Sequence, residues 1–190
     1  MSDEQNTKIH LLGIAGSLRK SSFNKALLGS ATELLPDGVE LEIFDLEGIP
    51  PFNQDFERDP APKVKEMKSK VRVADGLLLV TPEYNYSVPG VLKNAIDAAS
   101  RPYGDNPFDG KPVAIMGASI GMLGTARAQY HLRQTMVFLN MLPINWPEVM
   151  VPFADKKFDE AGRLVDVTTR EKVKELIQAL VEWIDKLRKT

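Results

Sequence analysis

The chain has 190 residues, 43% of them hydrophobic and 26% charged, which are the proportions of one globular domain able to bury a full core. Its 24 basic and 26 acidic residues leave a formal charge of -2, so no overall field favours nucleic acid or an anionic membrane surface. The absence of cysteine excludes disulfides, thiolate catalysis, iron–sulfur clusters and cysteine zinc sites. His10 and His131 are too few and too far apart to frame a metal site, and no metal is expected.

Residues 1–8 are polar, carry Asp3 and Glu4, and read as a loose tail ahead of a single domain over 9–190. They hold no apolar stretch of signal-peptide type, and no later run approaches membrane-spanning length. A cytoplasmic location is expected.

Residues 9–15 form an apolar run ending at Gly16, and Ser22 or Asn24 is placed to cap a helix whose Leu27, Leu28, Ala31, Leu34 and Leu35 share a face. Pro36-Asp37-Gly38 stops that helix, and residues 39–44 alternate apolar with acidic side chains as a half-exposed strand does. Residues 45–62 contain four prolines and no period, which reads as a long loop over a site. A modest helix over 64–74 precedes a run, 76–81, that is apolar throughout, as in a central parallel strand. Pro89 suits the first turn of the next helix, which ends before Arg101-Pro102. A strand over 111–118, a Gly121–Gly124 loop, a helix to about 140 and a last strand over 143–151 follow. A Thr168/Glu171 capping box is expected to open the final helix, whose apolar stripe runs from Val173 to Leu187.

Five strands alternating with five helices predict an α/β three-layer sandwich. Its five-stranded parallel sheet has right-handed crossovers and helices on both faces. In the strand order 2-1-3-4-5, the loops after strands one, three and four are neighbours at the carboxyl edge, where such sheets bind ligands.

The first loop, Gly16 to Asn24, offers helix-start amides, the side chains of Ser17, Ser22 and Asn24, and the charge of Arg19, a donor set suited to an anion. It contains neither Gly-Lys-Ser/Thr at P-loop spacing nor Gly-x-Gly-x-x-Gly. The second loop, Pro82 to Ser87, presents two tyrosines, an amide and a carboxylate; the third, Ser119 to Gly124, exposes backbone at glycines. Each also has a plain reading: helix caps and a solvated arginine, a turn anchored by packed tyrosines, and an ordinary glycine turn.

Gly16-Ser17-Leu18-Arg19 followed by Ser22-Phe23-Asn24, and above all the unbroken segment from Thr81-Pro82-Glu83-Tyr84-Asn85-Tyr86-Ser87 to Asp97, closely resemble the NADPH-dependent FMN reductase family, nearest its quinone and chromate reductase members. The resemblance spans about residues 9–150. It implies a flavodoxin-like fold with bound FMN, with Ser17, Arg19, Ser22, Phe23 and Asn24 at the phosphate and ribityl end. Pro82, Glu83, Tyr84, Asn85, Tyr86, Ser119 and Gly121 would line the isoalloxazine. It further implies that Arg101 and Tyr130 place nicotinamide or acceptor, and that Arg127 and Glu148 sit in a subunit contact of a homodimer or homotetramer. NADPH or NADH would be the donor, and quinones, flavins, azo compounds or chromate the acceptors of a ping-pong oxidoreductase. Neither nucleic acid nor membrane is expected as a partner. His131 has no such implied role and reads as structural or solvated. The alternative is an electron carrier of flavodoxin type, or a flavin-binding redox regulator, without NAD(P)H turnover; the charge of -2 gives little field for steering toward redox partners.

Overall fold

The apolar runs become strands and the amphipathic segments become helices in the order read from the sequence. A computed structural model describes residues 8–189, so the tail expected over 1–8 lies, apart from Lys8, outside the described residues. The elements are β1 (Ile9–Ala15), α1 (Phe23–Ala31), β2 (Val39–Phe44), α2 (Pro62–Val73), β3 (Gly76–Val80), α3 (Gly90–Ala99), β4 (Pro112–Ala118), α4 (Ala126–Phe138), β5 (Leu142–Pro143), β6 (Val149–Val151) and α5 (Val167–Arg188).

All strand pairs are parallel and follow the order β2-β1-β3-β4-β5, with β6 also pairing with β4. Every residue of β3 and β4 is buried, because helices cover both faces and leave no polar side for alternation. Leu78, Val80, Ala114 and Met116 point into a core closed by α1 and α5. Leu77, Leu79, Val113 and Ile115 point into a second core closed by α2, α3 and α4. Each fully buried leucine contributes about 1.5–3 kcal/mol. β2 at one edge is half exposed and keeps its acidic alternation.

Three expectations are corrected. The last strand, expected as one piece over 143–151, is two short strands on β4 separated by residues 144–148. α2 starts at Pro62 rather than at residue 64, since proline at the first helical position gives up only an amide that would be unpaired anyway. α5 is capped not by a Thr168/Glu171 box but by Asp166, whose carboxylate accepts the Thr169 N–H at 2.9 Å. Part of the 45–62 segment is ordered as a single 3-10 turn, Gln54–Phe56. Asn94 of α3 ties the segment down, accepting Phe52 N–H at 2.7 Å and donating to Pro50 C=O at 2.9 Å. No described helix is long and apolar enough to cross a membrane.

Pairing of Ala15 with Val80, and of Val80 with Met116, ends β1 and β3 level, with β4 running two residues further to Ala118. The loops that follow them therefore lie side by side at one edge of the sheet.

Candidate functional site

The β1 loop is built to present donors. Gly16 continues the ladder one residue past β1 with its N–H on Val80 C=O at 2.8 Å. A Cβ there would come within 3.1 Å of both Pro89 and Leu92, so any larger residue would have to push the start of α3 back by a few tenths of an ångström. Ser22 is the N-cap of α1: its Oγ accepts Asn24 N–H at 3.2 Å and Lys25 N–H at 3.4 Å. Ser17 Oγ accepts Arg19 N–H at 3.4 Å. Among the described residues, the amides of residues 20–23 have no backbone partner, while the hydroxyl protons of Ser17 and Ser22 remain available. Unpaired amides at the positive end of a helix, two hydroxyls and one guanidinium form a donor set that fits a phosphate.

Asn24 is used differently from the expectation. Its Nδ2 donates to Ala118 C=O and its Oδ1 accepts Ala118 N–H, both at 2.9 Å, so the side chain locks α1 to the end of β4. The Phe23 ring packs on Phe158, with ring centroids 5.4 Å apart.

The wall after β3 is a tight turn. Tyr84 N–H donates to Ser87 C=O at 3.2 Å and Ser87 N–H to Tyr84 C=O at 2.9 Å, with Asn85 and Tyr86 at φ of 49° and 65°. Two successive left-handed residues make a two-residue hairpin turn that normally ends in glycine; a tyrosine there is strained. The rings of Tyr84 and Tyr86 are exposed, the Arg127 guanidinium lies 3.5 Å from the Tyr86 ring centroid, and Ser87 Oγ meets His131 Nδ1 at 2.9 Å. Glu83 turns its carboxylate away to the first turn of α4, where it accepts Arg127 N–H at 3.0 Å and Ala128 N–H at 3.2 Å.

After β4, Ser119 Oγ accepts Gly121 N–H at 3.1 Å, and Ser119 N–H donates to Val151 C=O at 3.0 Å. Gly117, inside β4, faces the Thr125 hydroxyl and the Thr81 carbonyl so closely that any Cβ would collide with both. Thr81, Thr125 and Gln129 form a buried polar layer at this level. Gln129 Nε2 donates to Thr125 Oγ1 and to Val149 C=O, each at 3.0 Å, and its Oε1 has no partner.

The three loops enclose an open cleft of about 230 Å³, lined by Arg19, Ser22, Phe23 and Asn24 on one side and by Pro82, Glu83, Tyr84, Ala118, Ser119 and Ile120 on the other. Ser17, buried and bonded to the Arg19 amide, does not line it. Asn85, Tyr86 and Gly121 belong to the same loops but do not line it. The cleft therefore gathers most of the expected cofactor residues. Sequence reasoning missed Ala118 and Ile120, whose only signal was their place at the end of a buried strand, and the buried Thr81, Thr125 and Gln129, which carried none.

Arg101 lies apart from the cleft within this chain. It follows α3, whose ten residues carry it about 15 Å from the cleft edge of the sheet. There it pairs with Glu57 at 3.3 Å and stacks on Tyr103 at 3.7 Å. Glu57 and the 50–61 segment line a cavity of about 560 Å³, which is separate from the cleft. Tyr130 also does not line the cleft: its phenol donates to Glu148 Oε1 at 3.0 Å, and that bond raises its pKa above the ordinary value. Arg127 bonds within the chain, its Nε on Glu83 Oε1 at 2.6 Å, rather than to Glu148.

Comparison with known proteins agrees with this geometry. The model of the NADPH-dependent FMN reductase family matches residues 9–156. An NAD(P)H-dependent FMN reductase of Pseudomonas aeruginosa is 52% identical over 189 residues, covering 99% of this chain and 100% of that protein. A quinone reductase of Escherichia coli is 39% identical over 186 residues, covering 95% and 98%. Among solved structures, a flavoenzyme NAD(P)H:(acceptor) oxidoreductase of Paracoccus denitrificans superposes with a TM-score of 0.86 at 33% identity, over 94% of this chain and 98% of that one.

Proposed function

The chain belongs to the NADPH-dependent FMN reductase family, and from that premise we propose that it reduces quinones with NAD(P)H in a ping-pong cycle. FMN is the cofactor and NAD(P)H the electron donor. NAD(P)H gives up a hydride to become NAD(P)⁺, and the quinone takes two electrons and two protons, one of them from solvent, to become the hydroquinone. Bound FMN supplies the centre that accepts the hydride and returns the electrons. Flavins and azo compounds, which also take two electrons, and chromate, which takes three electrons per chromium and so more than one turnover, are further acceptors in this reading.

The protein's share is binding and orientation. The amides opening α1, the hydroxyls of Ser17 and Ser22, and Arg19 hold the phosphate. Pro82 to Tyr84 and the Ser119–Ile120 backbone lie along the planar ring. Among the described residues lining the cleft, the carboxylate of Glu83 is held by α4 and Arg127, and Arg19 is a cation suited to the phosphate, which suits chemistry in which position and local polarity do most of the work. Arg127, Tyr130 and Glu148 form an outward cluster beside the wall; we assign it to the contact of a homodimer or homotetramer, where Tyr130 meets the acceptor.

The observation that carries this reading is the anion-binding helix start lying beside a flat, aromatic-rimmed wall in one cleft. The test is anaerobic mixing of the FMN-loaded protein with NADPH or NADH. The yellow flavin absorbance should bleach and then return on addition of benzoquinone, with stoichiometric hydroquinone. Failure of either nicotinamide to bleach it would leave an electron carrier or a regulator as the better reading.

A further inference from the structure

Glu83 carries more than its place in the loop requires. Its side chain is 5% exposed. Oε2 accepts Arg127 N–H and Ala128 N–H, and Oε1 accepts Arg127 Nε and also pairs with Nη2 of the same guanidinium. Thr125, the N-cap of α4, makes no side-chain cap bond, so this helix start is satisfied by a carboxylate reaching in from the β3 loop. The guanidinium that Glu83 grips is the one stacked on Tyr86, the residue held at a φ of 65°. A carboxylate, a guanidinium and a strained tyrosine therefore form one continuous track from α4 to the tip of the wall.

We propose that Glu83 is a positioning residue for the flavin ring, acting by fixing the Pro82–Ser87 wall to the first turn of α4 and by holding Arg127 over Tyr86. The inference rests on the FMN reading above. Charge-assisted hydrogen bonds to a buried carboxylate are roughly twice as strong as neutral ones, and a carboxylate at a helix start gains further from the helix dipole. The left-handed turn is thus maintained before the ring arrives, and ring binding does not have to supply the cost of ordering it. Glu83→Gln keeps the shape, and its one amide oxygen can still take the two helix amides, but it removes the charge and sets an NH2 against the guanidinium.

The test compares wild type, Glu83→Gln and Arg127→Met by FMN titration of the apoprotein, the visible band of the bound flavin, and KM against kcat for benzoquinone. Far-UV circular dichroism confirms folding. Glu83→Gln should raise the FMN Kd about tenfold or more, shift the visible band, and raise the KM for quinone by a larger factor than it lowers kcat. Arg127→Met, which leaves both α4 amides capped, should change the same quantities in the same direction by a smaller factor. A folded Glu83→Gln protein with wild-type FMN Kd and an unchanged band would overturn the proposal, even if its Tm fell. If Glu83→Gln does not fold, Arg127→Met decides: wild-type values in that variant overturn it, and the expected shift supports it. Wild-type protein that binds no FMN would instead remove the flavin reading on which the inference rests.

Discussion

Both ends of the Asn24 amide go to a single residue 94 positions away, so one side chain ties the start of α1 to the end of β4. Ser22 was legible because its partners lie two and three residues along, within reach of a cap pattern. Asn24, Glu83 and His131 were not, because Ala118, the start of α4 and Ser87 are distant in sequence. Asn24→Ala would leave the Ala118 N–H and C=O buried without partners, at a cost of about 2–4 kcal/mol for the pair. Urea unfolding at neutral pH should show this as a lower midpoint with an unchanged slope.

Among the elements, long buried strands and the apolar stripe of α5 were readable at a distance, whereas starts and interruptions were not. The α5 cap turns on which of several polar residues before the helix has the extended backbone a cap requires. Asp166 has it at φ of -71° and ψ of 110°, while Thr168, chosen from the box pattern, is already inside the helix. The hydrogen bond from Lys157, joined by those from Thr169, lowers the Asp166 pKa from 3.8 to about 2. The unfolded chain therefore takes up a proton at a higher pH than the native one. The stability this carboxylate contributes is complete above about pH 4 and is lost as the pH falls through about 2. For this partly exposed group the loss is about 1–2 kcal/mol after solvent screening. Urea melts at pH 5 and pH 2.5 should show Asp166→Asn less stable than wild type at the higher pH, with the gap narrowing at the lower.

For the whole molecule, the alternation of elements was enough to give a parallel sheet with helices on both faces, because parallel strands need covered faces and right-handed crossovers; the order 2-1-3-4-5 came with the flavodoxin-like resemblance. The cleft followed from that order, since its three loops come from strands that are neighbours in space and far apart in sequence. Its finer shape did not, because the buried layer of Thr81, Thr125 and Gln129 forms only when β3, β4, α4 and β6 have docked. A ligand held by all three loops senses global rather than local unfolding. FMN at one hundred times its Kd should therefore raise the unfolding free energy by about 2.7 kcal/mol. Calorimetry of apoprotein and FMN-loaded protein should show one shifted transition; a separate, FMN-insensitive transition would contradict cooperative support of the cleft.

The broken outer strand also bears on how one chain meets another. Leu142 N–H and Ile144 N–H both turn inward, to Lys111 and Val113, so the residue between them faces outward, and it is Pro143, which has no N–H to give. β5 is two residues long, and Arg133 Nη2 already occupies the Ile144 carbonyl at 2.9 Å. A strand approaching from a second molecule finds almost no ladder to extend there. On the opposite side, β2 meets it with the acidic side chains of Glu40 and Glu42. The sheet that aligns the three binding loops is closed at both margins to the edge-to-edge growth that leads to fibrils.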